Sequence, residues 1–165
     1  MCYLSRDASK ELEFKLDISD KQELQFSEPK IIERYRITNS NTNDVLKDIT
    51  HLSFGEIIKY ILDYDNISVQ DLEIESGVSE RMIRRYIKGE IKDPTIKSVV
   101  AILRALDLPP KITEVAINQA GIKFRYGHET DDALFAILTI MRKCSLKQCN
   151  DFLHTLGLSP LTNEE

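Results

Sequence analysis

The chain has 165 residues, of which 42% are hydrophobic and 30% charged, as is typical of a soluble globular protein. Charges interrupt every apolar stretch before it reaches the roughly 18 residues that would cross a bilayer. The first ten residues lack the apolar core of a signal peptide, so we expect a cytoplasmic protein. The formal net charge of −5 disfavours an anionic partner unless the basic residues are concentrated in one place.

Cysteine and histidine spacing does not indicate a metal or catalytic site. The three cysteines are an odd number, which argues against a disulfide framework. The spacing of Cys144 and Cys149 matches no zinc motif, and His51, His128 and His154 are scattered along the chain. There is also no glycine-rich phosphate loop and no nucleophile motif, so we predict no metal, no cofactor and no enzymatic activity.

Residues 1–52 are the first of three segments and are predicted to be rich in strands. Residues 11–18 alternate strictly between polar and apolar side chains, and the alternation resumes at residues 24–26 and 35–37. We therefore predict a small N-terminal β-hairpin or sheet, followed by a polar turn or linker at residues 39–43. So small a sheet is unstable alone, and its apolar face must cover helices or a partner chain.

Residues 53–121 are predicted to be helical throughout. Ser53 with Glu56 forms a capping-box pattern, and the apolar residues that follow recur at the spacing of one buried helical stripe. Five helices are expected, beginning near Ser53, Ser68, Ser79, Thr95 and Lys111.

Residues 122–165 are predicted to form a C-terminal helical hairpin. One helix is expected over residues 131–143, and a second runs from a capping-box pattern at Ser145 to Gly157. The apolar stripe of this hairpin either docks on the preceding helices or forms a dimer interface. The expected fold class is therefore mainly α, with a small N-terminal sheet and a C-terminal hairpin.

Residues 68–89 carry the strongest functional signal. Two short helices meet at Gly77, which can adopt the positive φ that a sharp interhelical turn requires. The second helix has an apolar and a basic face. Its apolar arc consists of Met82, Ile83, Tyr86 and Ile87, and its basic arc of Arg81, Arg84, Arg85 and Lys88.

Together with Lys92, and against Glu80 and Glu90, this basic arc gives residues 79–92 a local charge of +3 in an acidic chain. An apolar back and a basic front suit a helix that enters the major groove of DNA, because arginine can donate two parallel hydrogen bonds to guanine and any cation can neutralise phosphate. The alternative is a solvated basic face on a helix that merely packs.

Residues 68–105 resemble the lambda-repressor-like (Xre-type) helix-turn-helix family. The residues that carry the resemblance are Leu72, Gly77, Val78, Ser79, Ile83, Gly89, Pro94, Val99, Ile102 and Leu103. The helices expected before and after this stretch would complete a five-helix domain over residues 53–121. Members of the family bind DNA as transcription regulators, often as dimers on palindromic sites, with the third helix in the major groove.

The resemblance implies a sequence-specific transcription regulator of bacterial or phage type that binds double-stranded DNA as a homodimer and associates with the nucleoid. Residues 79–89 would be the recognition helix, and Ser68 and Gln70 would face phosphate at the start of the second helix. The implied DNA-contacting residues are Ser68, Gln70, Ser79, Glu80, Arg81, Arg84, Arg85 and Lys88.

The chain departs from the family pattern at three positions. Glu73 stands where a small residue is usual and must lean out or crowd the third helix, while Ile87 stands where the family is often polar. Val69 replaces the usual glutamine, and Gln70 follows one position later. These departures and the acidic total leave a second hypothesis open, in which the basic face binds an acidic protein, as in an antitoxin, anti-repressor or inhibitor.

Overall fold

Eight α-helices follow one another in the part of the chain that the computed structural model describes, which is Ile37 and residues 41–162. In chain order they are α1 (Thr42–Ile49), α2 (Phe54–Asp65), α3 (Val69–Ser76), α4 (Glu80–Ile87), α5 (Ile96–Leu106), α6 (Pro110–Gln119), α7 (Glu129–Thr139) and α8 (Leu146–Thr155). Helices α2 to α8 each overlap a helix predicted from the sequence.

The described residues contain no β-strand, which corrects the predicted fold class of a mainly α protein with an N-terminal β-hairpin or sheet. Ile37 belongs to no strand, and residues 42–49, inside the segment predicted to be strand-rich, form α1. Val45 and Ile49 are buried one helical turn apart, and α1 packs on α6. The predicted strands at residues 11–18 and 24–26 lie outside the described residues.

Helix α5 lies at the centre of the core. It packs against α3, α6 and α7, and all its residues from Val99 to Leu106 except Ala105 are buried. A helix that is apolar nearly all round is expected where neighbours cover several of its faces. Of the two helices of the predicted turn region, α3 packs directly on α5, and α4 packs on α2 and α3.

The C-terminal helices dock on this base. Leu134 and Ile137 of α7 and Cys149 of α8 are fully buried, and Leu153 is 1% exposed. Of the two alternatives for the apolar stripe, the structure thus shows docking within the chain. Cys144 and Cys149 are free thiols, and burial raises the pKa of the Cys149 thiol.

A buried arginine ties the C-terminal helices to the turn region. Arg104 of α5 is 4% exposed and donates hydrogen bonds to the carbonyl oxygens of Cys144, at 2.7 Å, and of Glu75. The ammonium of Lys97 holds the following segment by donating to the carbonyl oxygens of Ser159 and Pro160, at 3.0 and 2.9 Å. Charged donors on carbonyl groups give strong hydrogen bonds in sites shielded from water.

The loop between α6 and α7 is held by a single carboxylate. The buried Asp131 accepts hydrogen bonds from the backbone N–H and the Nε of Arg125, both at 2.9 Å. These bonds lower the pKa of Asp131 to about 2.

No helix within residues 41–162 is long and apolar enough to cross a membrane. The same part of the chain holds no group of three or more histidine, cysteine, aspartate or glutamate residues placed to bind a metal ion.

Candidate nucleic-acid interface

The turn between α3 and α4 is built from local hydrogen bonds. Gly77 ends α3 with φ at 69°, and its N–H donates to the carbonyl oxygen of Glu73 at 2.8 Å. The buried Ser76 hydroxyl donates to the Leu72 carbonyl at 2.6 Å and accepts from the Val78 N–H at 3.2 Å. Because Gly77 supplies the left-handed conformation and Ser76 pairs the neighbouring backbone groups, the angle between α3 and α4 is firmly set.

Helix α4 has the buried back that the sequence predicts. Ile83 is fully buried and Tyr86 is 3% exposed. The Tyr86 ring meets that of Phe54 edge to face, with the ring centroids 6.0 Å apart. A Cβ added to Gly55 would lie 1.8 Å from the Tyr86 carbonyl oxygen, so the backbones of α2 and α4 meet in close contact.

The exposed front of α4 gathers the basic side chains. Six residues line one open depression there, namely Glu80, Arg81, Arg84, Arg85, Lys88 and Glu90. Five of them are among the DNA-contacting residues predicted from the sequence, and Glu90 is an addition. With four cations and two carboxylates the depression carries a net positive charge.

Two of the four cations are held by ion pairs. The Nε and Nη2 of Arg84 lie 2.7 and 2.6 Å from Oε1 of Glu80, one turn earlier in α4. The Nε of Arg85 lies 3.3 Å from Oε2 of Glu90, which follows the helix. Arg81 has no ion pair or hydrogen bond through its side chain among the described residues, and neither has Lys88.

Glu73, the first departure from the family pattern, closes the N-terminus of α4. Its Oε1 accepts a hydrogen bond from the Glu80 N–H at 2.9 Å, and the side chain is half-buried. The first N–H groups of a helix have no partner inside the helix and carry partial positive charge, so a carboxylate there is favourable. The Glu73 side chain neither turns out to solvent nor clashes with α4, because its carboxylate binds the N-terminus of that helix.

The remaining predicted contacts lie at two helix starts. Ser79 caps α4, its hydroxyl accepting from the Met82 N–H at 3.4 Å. Ser68 caps α3, and its own N–H and hydroxyl donate to Oδ2 of Asp71 at 3.2 and 2.7 Å. The Ser68 groups expected to face phosphate are thus already hydrogen bonded to Asp71, whereas the exposed Gln70 side chain has no hydrogen-bond partner among the described residues.

Ile87, the second departure, is partly buried against the core and does not face solvent freely. The sequence reasoning did not identify the roles of Gly55, Ser76 and Glu90. A glycine at the start of a helix is a signal of close backbone contact that could have identified Gly55. The Arg85–Glu90 pair spans the end of a helix, where the spacing of one helical turn no longer applies.

Comparison with known proteins agrees with this geometry. Residues 58–112, a third of the chain, match the helix-turn-helix family. The matched stretch runs from within α2 to the start of α6 and contains the α3–turn–α4 unit. These residues are thus similar to a helix-turn-helix domain, in agreement with the resemblance noted in the sequence. No match was found among curated proteins or among solved structures.

Proposed function

We propose that the chain is a sequence-specific transcription regulator of bacterial or phage type, which inserts α4 into the major groove of double-stranded DNA. The helix-turn-helix domain at residues 58–112 supports this proposal at the level of the domain. The observation that carries it is the single open depression on α4, where Arg81, Arg84, Arg85 and Lys88 face solvent together. Their charges complement phosphate, and the arginines can also read base edges.

The proposed complex is symmetric. Two copies of the chain would place their α4 helices in successive major grooves, about 34 Å apart, on a palindromic site. Occupancy of such a site in the cytoplasm, on the nucleoid, would regulate transcription. The apolar stripe of α7 and α8 is buried within the chain, so the dimer must use another surface.

Binding can be tested with the full chain and a pool of random DNA duplexes. Selected sequences should contain two half-sites about one helical turn apart. The complex should have a protein mass of twice the 19.0 kDa of the chain. Affinity should fall steeply as salt rises, because neutralised phosphates release their counterions.

The first variant to measure is Arg84→Ala combined with Arg85→Ala. We expect binding to the selected duplex to weaken by at least about 100-fold, since each lost arginine contact to a base costs roughly tenfold or more. Lys123→Ala combined with Lys143→Ala removes the same charge from exposed positions outside α4 and is the matched control. Equal affinities of the two double variants in a fluorescence anisotropy titration would contradict the proposal.

Fewer observations favour the second hypothesis, a module that binds an acidic protein. Glu73 and Ile87 motivated it, and both side chains are engaged within the fold. What remains is the net charge of −5, which does not describe the local field on α4. Co-purification of an acidic protein, together with no DNA affinity at low salt, would favour this hypothesis.

A further inference from the structure

The Glu80–Arg84 ion pair leaves two hydrogen-bonding edges unoccupied. Glu80 uses only Oε1 for the pair, at 2.7 Å from Nε and 2.6 Å from Nη2 of Arg84. Within the described part of the chain, Oε2 of Glu80 and Nη1 of Arg84 have no hydrogen-bond partner. Since Nε and Nη2 point along one side of the planar guanidinium, its second side, formed by Nη1 and the other N–H of Nη2, stays free.

The pair is also held in place on the exposed front of α4. Glu73 fixes the backbone of Glu80 through its N–H, and the two paired residues are one helical turn apart. The side chain of Glu80 is 30% exposed and that of Arg84 is 56% exposed, so both can reach a partner in front of the helix. A guanidinium whose position is already fixed loses less conformational freedom when it binds.

These two free edges match the major-groove edge of a G·C base pair. Guanine presents two acceptors, N7 and O6, and the N4 amino group of the paired cytosine is a donor beside them. The free side of the Arg84 guanidinium offers two parallel N–H donors, which fit N7 and O6. The free Oε2 of Glu80 is an acceptor, which fits the cytosine amino group.

We propose, on the basis of the DNA-binding function above, that Glu80 and Arg84 act as one unit that reads a single G·C base pair in each half-site. Arg84 binds the guanine and Glu80 binds the cytosine while holding Arg84 in position. Glu80 thus contributes to specificity despite its charge, which by itself would repel the phosphates. Arg81 and Lys88, which have no carboxylate partner among the described residues, contact phosphates of the DNA backbone.

The second ion pair on α4 differs and supplies a control. Arg85 pairs through Nε with Glu90, and its Nη1 lies 3.8 Å from the sulfur of Met82. Glu90 lies beyond the end of α4 and its N–H donates to the Arg85 carbonyl at 3.0 Å, whereas the N–H of Glu80 donates to a side chain of α3. The proposal therefore assigns joint reading of one base pair to Glu80 and Arg84 only.

The test uses the full chain, the selected duplex and a panel of duplexes in which each base pair is replaced in turn. In the wild type, replacement of one G·C pair per half-site should weaken binding by about 10- to 100-fold. Arg84→Ala and Glu80→Ala should each reduce the preference at that same base pair, and the double variant should reduce it no further than Arg84→Ala alone. Arg84→Lys keeps the charge and should bind more tightly than Arg84→Ala without restoring the preference for guanine.

Arg85→Ala and Glu90→Ala are the matched controls and should leave the preference at that base pair intact. Circular dichroism spectra and urea unfolding should be used to check that each variant is folded. The inference is overturned if Glu80→Ala and Arg84→Ala relax different base pairs, or if both weaken all duplexes equally, as loss of a phosphate contact would. Failure of the wild type to select any sequence overturns the proposed function as well, so the two failures are distinguishable.

Discussion

At the scale of single residues, the start of α4 depends on a side chain from the helix before it. Glu73 lies in the second half of α3, and its carboxylate accepts the Glu80 N–H at 2.9 Å. The first N–H groups of a helix have no carbonyl partner within that helix, and here a side chain of α3 accepts one of them. The contact therefore stabilises the N-terminus of α4 and helps to set the angle between α3 and α4.

Replacement of Glu73 by alanine should lower the free energy of unfolding by roughly 1.5–3 kcal/mol, the usual contribution of a hydrogen bond to a charged group. Glu75→Ala is the matched control, since it removes the same charge from an exposed position in the same helix. Urea unfolding of both variants measures the difference. Equal stabilities would mean that the Glu73 carboxylate contributes nothing beyond its charge.

At the scale of the elements, α4 is positioned by its backbone contact with α2. The absence of a side chain at Gly55 lets α2 approach the Tyr86 carbonyl of α4. Phe54 and Tyr86 pack edge to face beside this contact. Packing of this density transmits small displacements, so the position of α4 depends on the first turn of α2.

Gly55→Ala should destabilise the fold by about 3 kcal/mol, because the new Cβ meets a backbone atom that cannot move aside as a side chain does. The variant should also bind the selected DNA more weakly, since α4 must shift. Gly89→Ala is the comparison: its Cβ would meet nothing within 4 Å, and only its φ of 68° opposes a side chain. That strain costs about 1 kcal/mol. If urea unfolding finds the two variants equally stable, the close contact of α2 and α4 does not constrain the fold.

At the scale of the whole molecule, the C-terminal helices are part of the structure that supports the helix-turn-helix. Arg104 joins the carbonyl of Glu75 at the end of α3 to that of Cys144 before α8. A Cβ added to Gly77 would lie 2.4 Å from Oγ1 of Thr162, so the last described residues lie against the turn itself. Residues 145–162 thus contact the turn through Leu146 and Thr162.

Arg104→Met should lower the free energy of unfolding by about 2–4 kcal/mol, because the methionine fills similar space but leaves two carbonyl groups without their charged donor. Arg142→Met is the control. It breaks a half-buried pair with Asp107 and a hydrogen bond to the Leu108 carbonyl at 3.3 Å, and should cost less than Arg104→Met because solvent reaches the Arg142 side chain. Hydrogen–deuterium exchange should accelerate in residues 146–155 of the Arg104 variant. Unchanged exchange there would confine the role of Arg104 to the helix-turn-helix.

Sequence patterns by themselves determined helices α2 to α8, the turn at Gly77 and the two faces of α4, because each depends on residues within about one helical turn or on local caps. They predicted a strand-rich first segment where α1 lies, since this eight-residue helix contains only three apolar residues, Val45, Leu46 and Ile49, too few to establish a helical period. Only the tertiary structure shows which groups Glu73 and Arg104 bind, and that Ile87 and the apolar stripe on α7 and α8 pack within the chain. It also divided the basic arc of α4 into Arg84 and Arg85, which form ion pairs, and Arg81 and Lys88, which form none within residues 41–162. Those outcomes depend on which side chains from distant positions meet, and the spacing of residues along the chain does not contain that information.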